Sequence, residues 1–376
     1  MNLPKVCHII HEDAAGGGPV VLIDHLASTE GQVELSVIHG GRGKIAEYCE
    51  KAGIKHWQVT LDQLPKVLFG FPGLVRAIRE ASPDIVILHG QWAGPIGALA
   101  LRLAGVRHSI YSAGWPAFYS DWDLWRVVRN RLAEAIPCRV CDRVVVLCRG
   151  SWYQYSIRRL GIGKLRMIHN GVDTSHVPSA ERVSTLRKVE GWDDRHCHVV
   201  SVGRLADQKC VDWLLRSWKM VQDKEAGARL WIVGSGEEEE ALRRLAQELK
   251  IVDTCKFLGS RPMGIEYAGA GDIVAMTTLY ESHGIVALEG MACGRPVVVS
   301  DVDGPHDSVQ DGVEGYLVPP ANIEQFAQRL LELIRDPALR QRMGEAGRLR
   351  AAEFSVEKMS GKYLELVREV LGEKEG

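Results

Sequence analysis

Two cationic side chains lie five positions apart in the segment Gly203-Arg204-Leu205-Ala206-Asp207-Gln208-Lys209. A β-branched run ends at the start of this segment and an amphipathic stretch begins just after it, so it is predicted to join a strand to a helix. An arginine fork and a lysine point charge at such a junction can together neutralise a diphosphate. The segment therefore predicts a binding site for a phosphorylated ligand, with solvated surface charge as the alternative.

Two carboxylates, Glu281 and Glu289, are eight positions apart. Eight residues make slightly more than two helical turns, so both side chains are predicted to lie on nearly one helix face. Because carboxylates accept hydrogen bonds from hydroxyl groups, one could bind a sugar and the other a ribose diol. The loop Glu281-Ser282-His283-Gly284 opens this helix, whose free N–H groups favour an anion.

A third loop, residues 11–19, follows the first predicted strand and contains Gly16, Gly17 and Gly18. Consecutive glycines let the backbone approach a ligand closely, and the following helix N-terminus favours an anion. The loop matches neither the G-x-G-x-x-G dinucleotide fingerprint nor the P-loop. A ligand loop and a tight turn both stay open.

Six aromatic residues crowd positions 111–125, namely Tyr111, Trp115, Phe118, Tyr119, Trp122 and Trp125. Sugar rings and apolar acceptors stack on such surfaces, so the loop with Trp115, Phe118 and Tyr119 is predicted to be an acceptor wall. The spacing of Trp125 and the apolar residues at 128, 132 and 136 instead predicts a buried helix face. Six arginines between positions 126 and 149 fit either contact with anionic lipid or a solvated face.

Strand-like and helix-like segments alternate along the chain in two series, which predicts two doubly wound parallel sheets. The strands are expected at 6–11, 33–39, 85–89, 108–112 and 143–147, then at 199–203, 230–234, 256–259, 273–277 and 297–300. Helices are expected at 19–27, 71–80, 93–103 and 122–136, then at 210–221, 237–249, 285–293, 323–334 and 337–352. Residues 174–195 are polar and read as irregular, so the domains are predicted to span 1–173 and 174–355. A last helix at 356–371 is expected to pack elsewhere, with the first domain as a candidate. The chemistry-bearing loops all follow predicted strands, where such folds bind ligands.

The composition excludes several classes of protein. With 376 residues and a net charge of −2, the chain has no strong positive field that would favour nucleic acid, although residues 1–173 carry +5 and the rest −7. No signal-peptide pattern and no apolar run of about 18 residues occur, so a cytoplasmic protein without a membrane span is predicted. The nine scattered cysteines predict buried thiols, because the C-x2-C pair at Cys138 and Cys141 has no second pair to complete a zinc site.

The motifs together resemble those of retaining glycosyltransferases of the GT-B fold, in family four. The match rests on the segment 203–209, on Phe257-Leu258-Gly259, on residues 281–298 with their E-x7-E pattern, on residues 311–319 and on Asn170-Gly171-Val172-Asp173. The resemblance implies an α/β protein with two Rossmann-like domains that face each other across a cleft. It also implies that the first domain binds the acceptor and the second binds a nucleoside-diphosphate sugar, without a metal.

The resemblance further implies roles for individual residues. Arg204 and Lys209 would hold the diphosphate beside Gly203, Glu289 the ribose hydroxyls and Glu281 the sugar hydroxyls. Main-chain N–H groups of Gly284, Ile285 and Val286 would contact sugar and phosphate. The base would lie against Ser260 and Arg261, and Gly16 and Gly17 would face the diphosphate from the first domain.

Two positions depart from the family pattern. Ala113 stands where the family commonly has a histidine, so either His89 or His283 replaces it or none is required. Cys210 stands where the family often has glycine, a change expected to affect packing only.

The expected activity is transfer of a hexose or hexosamine from a nucleotide sugar to a hydroxyl of a sugar, glycolipid or small molecule. A UDP-sugar is the first expectation and a GDP-sugar the alternative. A sugar-nucleotide epimerase, a phosphorolytic relative and a non-catalytic nucleotide-sugar-binding scaffold stay open.

Overall fold

The computed structural model describes residues 3–11, 17–60, 66–114, 118 and 124–372. The chain divides into two compact units, of which the first comprises residues 1–171 and 356–376 and the second residues 172–355. The chain passes from one unit to the other after residue 171 and again after residue 355. These two points of the chain are adjacent, because the Val172 N–H donates to the Phe354 carbonyl at 2.9 Å.

A seven-stranded parallel sheet forms the centre of the first unit, in the order β3-β2-β1-β4-β5-β6-β7. Its strands are β1 (Lys5–Ile10), β2 (Glu34–His39), β3 (Lys55–Gln58), β4 (Ile85–His89), β5 (His108–Ala113), β6 (Arg143–Val146) and β7 (Leu165–Met167). The connecting helices are α1 (Gly17–Thr29), α2 (Lys44–Ala52), α3 (Lys66–Ala81), α4 (Gly90–Ala104), α5 (Leu124–Val140) and α6 (Arg149–Ile157). Central strands such as β4 are continuous apolar runs because helices cover both of their faces.

A six-stranded parallel sheet forms the centre of the second unit, in the order β10-β9-β8-β11-β12-β13. Its strands are β8 (Cys197–Val202), β9 (Ala228–Val233), β10 (Cys255–Gly259), β11 (Ile273–Met276), β12 (Val297–Ser300) and β13 (Gly315–Val318). Its helices are α7 (Ala180–Glu190), α8 (Val211–Gln222), α9 (Glu239–Glu248), α10 (Gly264–Ala270), α11 (Ile285–Ala292), α12 (Asp303–Ser308), α13 (Ile323–Arg335) and α14 (Pro337–Ala351).

The last helix, α15 (Val356–Leu371), belongs to the first unit. Its apolar face packs in one cluster with strand residues of the first sheet such as Ile85, Ile87 and Val145. Its polar side chains reach the same sheet face, where the Tyr363 hydroxyl lies 2.8 Å from the Ser112 hydroxyl. The chain therefore completes the first unit only after the whole second unit.

Capping residues explain where several helices begin and end. The side chain of Ser179 accepts a hydrogen bond from the Arg182 N–H at the start of α7, and Asn322 and Asp336 cap α13 and α14 in the same way. Gly105 ends α4 in the left-handed conformation. Each N-cap of this kind stabilises its helix by about 1 kcal/mol.

Some elements escaped prediction from the sequence. Residues 174–195 were expected to be irregular, which is wrong for residues 180–190, because α7 is helical there although Leu186 is its one buried residue. Strands β3, β7 and β13 are only three or four residues long and carry too little periodicity to predict.

All nine cysteines are free, and seven of them are buried. Burial raises the pKa of Cys255 to about 12, as expected of a structural thiol. Among the described helices, none is both long enough and apolar enough to cross a bilayer.

Each sheet has one point at which the strand order reverses direction. In the first sheet this point lies between β1 and β4, and in the second between β8 and β11. Doubly wound sheets bind their ligands at the carboxyl ends of the strands at this switch point. The loops after these four strands are therefore the candidate ligand-binding loops of the fold.

Candidate functional site

The predicted cation loop and the predicted carboxylate loop leave the second sheet side by side. Residues 203–209 follow β8, and residues 277–284 follow β11, its neighbour in the sheet. Both loops therefore lie at the switch point of the second unit. This placement brings together Arg204, Lys209 and Glu281 from segments about 70 residues apart in the chain.

Lys209 and Glu281 meet directly across the two loops. Lys209 Nζ lies 2.5 Å from Glu281 Oε2, and 25% and 16% of the two side-chain surfaces are exposed. Glu281 Oε1 accepts a hydrogen bond from the Ser282 N–H at 3.0 Å. The carboxylate is thus held by one cation and one main-chain donor, and the lysine charge is balanced.

Arg204 has different surroundings. Its side chain is exposed, and within the described part of the chain its guanidinium forms neither an ion pair nor a hydrogen bond. An unengaged guanidinium can bind two oxygens of an anion with its planar fork. The two predicted cations are therefore present in two different states, one paired and one available.

A hydrogen-bond network that the sequence reasoning missed joins the two loops. The Gln208 side chain donates to the Tyr280 carbonyl at 2.8 Å, and the Thr278 hydroxyl lies 3.2 Å from the Gln208 carbonyl. The Thr277 hydroxyl donates to the Lys209 carbonyl at 3.1 Å. Two consecutive threonines at the end of a buried strand were the available signal, because such hydroxyls satisfy loop carbonyls. The network fixes the position of Lys209 relative to the segment 277–281.

The N-terminus of α11 faces the same edge. Gly284 precedes it with φ 77°, a left-handed conformation that glycine adopts without strain. The Ala287 N–H bonds back to the Gly284 carbonyl at 2.9 Å, whereas the N–H groups of Ile285 and Val286 have no partner among the described residues. These two donors and the helix dipole can stabilise a negative charge.

Glu281 lies before α11 and not on it, so the prediction that Glu281 and Glu289 share one helix face is wrong. Glu289 alone is on the helix. Its Oε2 lies 3.8 Å from the point that a Cβ atom on Gly264 would occupy, at the start of α10. The two carboxylates therefore serve two different places, one beside Lys209 and one beside the loop after β10.

Glycines let three strand ends approach one another at this edge. A Cβ atom on Gly234 would lie 1.8 Å from the Gly203 carbonyl oxygen, so no side chain fits there. Gly203 and Gly234 both adopt positive φ, at 150° and 144°. The Gly203 N–H donates to the Val233 carbonyl and the Gly234 N–H to the Gly259 carbonyl, each at 2.9 Å, which links the ends of β8, β9 and β10. The backbone of the cation loop is therefore set by main-chain contacts.

Three other predicted binding residues differ in their surroundings, since Arg261 and His283 contact neighbouring side chains and Ser260 is exposed. Arg261 Nε donates to the Tyr267 hydroxyl at 2.9 Å, and Arg261 also pairs with Glu190 at 3.3 Å. His283 is only 1% exposed and its ring packs against Phe354 at 5.3 Å, so its imidazole is not presented at the edge. Ser260 is exposed.

Cys210 has an unusual backbone conformation at the end of the cation loop. Its φ of 44° and ψ of 44° are left-handed, a conformation that costs roughly 1–2 kcal/mol in a residue with a Cβ atom. Its Sγ lies 3.3 Å from the Asp207 carbonyl. The expectation that this cysteine affects packing only is therefore wrong, because it holds a strained turn directly after Lys209.

The switch point of the first unit carries His89 at the end of β4. Its Nε2 lies 3.0 Å from His8 Nδ1, and burial lowers the pKa of His89 to about 3, so the imidazole is neutral at pH 7. Gly17 is exposed as the first residue of α1, and Gly16 lies outside the described residues.

The predicted acceptor wall is wrong for Phe118. This side chain is 2% exposed, its ring packs edge-on against Tyr155 at 6.0 Å, and the Arg158 guanidinium lies 4.4 Å above it. Trp115 and Tyr119 lie outside the described residues. Phe118 is therefore a core residue of the first unit.

The core under Phe118 contains a buried carboxyl group. Glu134 of α5 accepts hydrogen bonds from the Tyr111 hydroxyl at 2.9 Å and the Tyr155 hydroxyl at 2.6 Å. Burial raises the pKa of Glu134 to about 7, although the two tyrosines favour its charged form. Burial thus favours the protonated acid at pH values where an exposed glutamate is ionised.

The buried helix face predicted around Trp125 is wrong for Trp125, Val128 and Leu132, whereas Ile136 is partly buried against the core. Trp125 and Leu132 are 75% and 66% exposed, and Leu124 and Val128 of the same helix are exposed as well. Helical spacing shows that residues share a face, but it does not show whether the face points inward. In α5 the inward face instead carries Asn130, Glu134 and Cys138.

Comparison with known proteins identifies the family. The model of Glycosyltransferase Family 4 matches residues 16–176, and that of Glycosyl transferases group 1 matches residues 183–350. The lipopolysaccharide core biosynthesis glycosyltransferase LpsE of Rhizobium meliloti is 30% identical over 370 residues, which cover 96% of this chain and 98% of LpsE. The chain belongs to the group 1 glycosyl transferases. This glycosyltransferase is also 32% identical to the D-inositol 3-phosphate glycosyltransferase of Kribbella flavida, over 80% of this chain and 75% of that protein.

A solved glycosyltransferase structure shares the fold of this chain. The crystal structure of HepE from Anabaena in complex with UDP-glucose matches with a TM-score of 0.87 at 22% identity, covering 97% of this glycosyltransferase and all of HepE. The two Rossmann-like sheets of the GT-B fold predicted from the sequence are thus confirmed.

Proposed function

We propose that this glycosyltransferase moves a hexose or hexosamine from a nucleoside-diphosphate sugar to a hydroxyl acceptor, with retention of configuration and without a divalent metal. The observation that carries the proposal is the arrangement of Arg204, the Lys209–Glu281 pair and the α11 N-terminus at one switch point. Arg204, Lys209 once Glu281 has moved away from it, and the N–H groups of Ile285 and Val286 supply the positive charge that a diphosphate needs.

The chemistry requires stabilisation of the leaving diphosphate. When the bond between the sugar C1 and the phosphate oxygen breaks, negative charge grows on that oxygen. Arg204, Lys209 and the N–H groups of Ile285 and Val286 stabilise this charge, which is why they accelerate the step. In the proposed retaining reaction the acceptor hydroxyl attacks on the face that the phosphate leaves, and its proton passes to a phosphate oxygen.

Glu281 and Glu289 bind different hydroxyl groups of the nucleotide sugar. Glu281 binds hydroxyls of the transferred sugar, and Glu289 binds the ribose diol, since carboxylates accept two hydroxyl hydrogen bonds well. The base lies along the loop after Gly259, where Ser260 is exposed. Arg261 contacts the base after its ion pair with Glu190 has opened. His283 takes part through its main chain only.

Residues of the first unit complete the substrate contacts. His89 supplies a neutral imidazole to a substrate hydroxyl, and Gly16 and Gly17 offer main-chain N–H groups to the diphosphate. UDP is the first candidate for the nucleoside diphosphate of the donor because HepE was solved with UDP-glucose, and GDP is the alternative. A sugar hydroxyl, such as that of a glycolipid, is the proposed acceptor, because LpsE acts in lipopolysaccharide core biosynthesis.

A donor screen tests the proposal. The protein is incubated with UDP-glucose, UDP-N-acetylglucosamine or GDP-mannose, with and without EDTA, and release of the nucleoside diphosphate is measured. We expect slow release from one donor, unchanged by EDTA, with the released or transferred sugar in the donor's anomeric configuration by NMR. Binding without turnover under any acceptor would favour the scaffold, and loss of binding in EDTA would refute the metal-free reaction.

We also propose that the enzyme works in the cytoplasm at an anionic membrane surface, through α5. Its exposed residues Leu124, Trp125, Val128 and Leu132 form one stripe. Exposed Arg126, Arg129 and Arg131 lie to the sides of that stripe on the same helix. An apolar stripe between cations is the pattern of helices that lie in the plane of a bilayer interface.

Vesicle sedimentation tests this contact. We expect the protein to sediment with vesicles that contain 30% anionic phosphatidylglycerol and to stay in solution with neutral phosphatidylcholine vesicles. Trp125→Ser together with Leu132→Ser should abolish sedimentation. The matched control is Leu349→Ser, an exposed leucine of α14, which should sediment as the wild type does. Equal sedimentation of both variants would refute the role of α5.

A further inference from the structure

The first sheet carries a layer of buried polar side chains beneath its switch point. His8 of β1, His25 of α1, and Ser360 and Tyr363 of α15 are all buried there. His25 Nδ1 lies 2.8 Å from the Ser360 hydroxyl, and the rings of His8 and His25 meet edge-on at 5.3 Å. Such a layer costs desolvation free energy unless its members are paired, so its presence in an otherwise apolar sheet face requires a reason.

His89 is the member of this layer that reaches the edge of the sheet. Its side chain is partly exposed, whereas the side chains of the four others are buried. His89 and Ile10 are direct neighbours in the β1–β4 pairing, so His8, two residues before Ile10, lies on the same face. The layer thus extends from α15, through His25 and His8, to a single imidazole at the switch point.

His8 and His89 are joined by geometry that constrains both rings. The rings stack at 5.2 Å with an interplanar angle of 17°, and His8 Nδ1 lies 3.0 Å from His89 Nε2. One nitrogen of this contact must carry a proton and the other must not, so the tautomer of one ring dictates that of the other. Within the described part of the chain, His89 Nδ1 has no hydrogen-bond partner.

Charge does not disturb this arrangement near neutral pH. Burial holds the pKa of His8 well below its usual range, and it lowers the pKa of His25 to about 4. The pair therefore holds one shared proton between two neutral rings, and neither ring repels the other. The remaining nitrogen of His89, Nδ1, is left to interact with a ligand.

We propose that His8 is a positioning residue for His89: it fixes the ring and the tautomer of His89, so that His89 Nδ1 meets a substrate hydroxyl in one orientation. The inference rests on the substrate contact of His89 given under the proposed function. His8 itself touches no substrate. His25 packs edge-on against the His8 ring and is itself hydrogen-bonded to Ser360.

Substitutions at His8 test the idea, because two of them differ in a single hydrogen bond. His8→Asn places an amide where Nδ1 stood and keeps the bond to His89, whereas His8→Leu keeps the volume and removes the bond. We expect His8→Leu to lower turnover of UDP-glucose about tenfold with KM changed less than twofold, and His8→Asn to recover most of that loss. If the donor screen selects another nucleotide sugar, that compound is the probe.

Two controls separate positioning from stability. Tyr363→Phe removes the hydrogen bond to Ser112 in the same buried layer without touching the histidine pair, so it should lower Tm and leave turnover unchanged. The ¹⁵N shifts of His89 should report one neutral tautomer between pH 5.5 and 8 in the wild type and in His8→Asn. In His8→Leu they should report a mixture of both tautomers.

The outcomes distinguish the inference from the function on which it rests. If His89→Ala turns over UDP-glucose normally, the substrate contact of His89 is wrong. If His89→Ala is impaired but His8→Leu is normal, or if the His89 tautomer is the same in His8→Leu as in the wild type, the contact stands and the positioning role of His8 is wrong. Equal losses in His8→Leu and Tyr363→Phe would mean that the layer acts only through stability.

Discussion

Lys209 and Glu281 form an ion pair of 2.5 Å between two loops that are 72 residues apart in the sequence. The pair holds the loops after β8 and β11 together and balances the lysine charge. A diphosphate that binds Lys209 must therefore compete with Glu281. Under the proposed function, the carboxylate that leaves the lysine would bind sugar hydroxyls, so binding of the donor would be coupled to release of Glu281 from Lys209.

This coupling predicts opposite effects of one substitution on binding and turnover. In Glu281→Gln the lysine is no longer paired with a carboxylate, so UDP should bind as tightly as in the wild type or a few times more tightly. Turnover of the nucleotide sugar should fall at least tenfold, because the sugar loses a charged acceptor of its hydrogen bonds. Calorimetry with UDP and steady-state kinetics measure the two effects.

The control for this variant is Lys209→Ala, which should weaken UDP binding while the fold stays intact by Tm. Weaker UDP binding in Glu281→Gln would contradict the competition.

Glu289→Ala should weaken binding of UDP more than it lowers turnover at saturating donor. Loss of a hydrogen bond to a charged group costs about 1.5 to 3 kcal/mol, which is roughly ten- to hundredfold in Kd. Calorimetry with UDP checks the loss, and deoxy-UDP, which lacks the 2′-hydroxyl, should show a smaller difference between variant and wild type. Glu240→Ala, an exposed glutamate of α9, is the control. Unchanged Kd in Glu289→Ala would remove this residue from the ribose site.

The buried acid Glu134 predicts a pH-dependent stability difference. Its pKa is about 7 in the folded protein against an ordinary 4.5, so the folded state binds more protons than the unfolded chain between these values. This group therefore makes the free energy of unfolding fall as pH rises from about 4.5 to 7, by about 3 kcal/mol in all. Glu134→Gln cannot ionise and should escape that fall.

Urea unfolding of the wild type and Glu134→Gln at pH 5, 6, 7 and 8 measures this difference. The stability of the variant relative to the wild type should rise with pH and level off above about pH 7.5. The buried histidines are common to both proteins and cancel in the comparison. Glu353→Gln, at an exposed site, should show no such trend. A relative stability that is flat with pH would mean that Glu134 titrates normally.

Gly234→Ala should disturb the cation loop although residue 234 carries no functional group. A Cβ atom there would lie 1.8 Å from the Gly203 carbonyl oxygen, and φ is 144°. We expect a loss of stability of about 2 kcal/mol or more, because backbone must move and an unusual conformation is imposed on alanine. UDP binding should weaken as well. Gly227→Ala, where the nearest atom lies at 3.6 Å, should be close to neutral in both measurements.

The cation loop and the carboxylate loop could be predicted from the sequence because each follows an apolar strand. Once strands are placed, their carboxyl ends define the binding edge, and Arg204, Lys209 and Glu281 lie there. The pairing of Lys209 with Glu281 could not be predicted, because it depends on β8 and β11 becoming neighbours. Local pattern contains no information on which distant strands adjoin.

The errors have a common physical origin. The helical spacing around Trp125 is real, but the direction of that face depends on what covers α5, and the buried side of α5 contains Glu134 and Asn130 instead. Phe118 stands in an aromatic loop yet fills a space beside Tyr155. Cys210 adopts a backbone conformation that its residue type disfavours, so the surrounding loop contacts impose it.

The second unit is inserted between residues 171 and 356 of the first. During synthesis all seven strands of the first sheet leave the ribosome before α15 does, and about 180 residues are translated in between. During this interval His25 and Ser112 lack their hydrogen-bond partners Ser360 and Tyr363, which are not yet translated. The nascent first unit therefore exposes its polar layer and the apolar strand residues around it. The second unit leaves the ribosome completely before α15 does, so it can fold first, and the N-terminal half of this enzyme becomes the last part to mature.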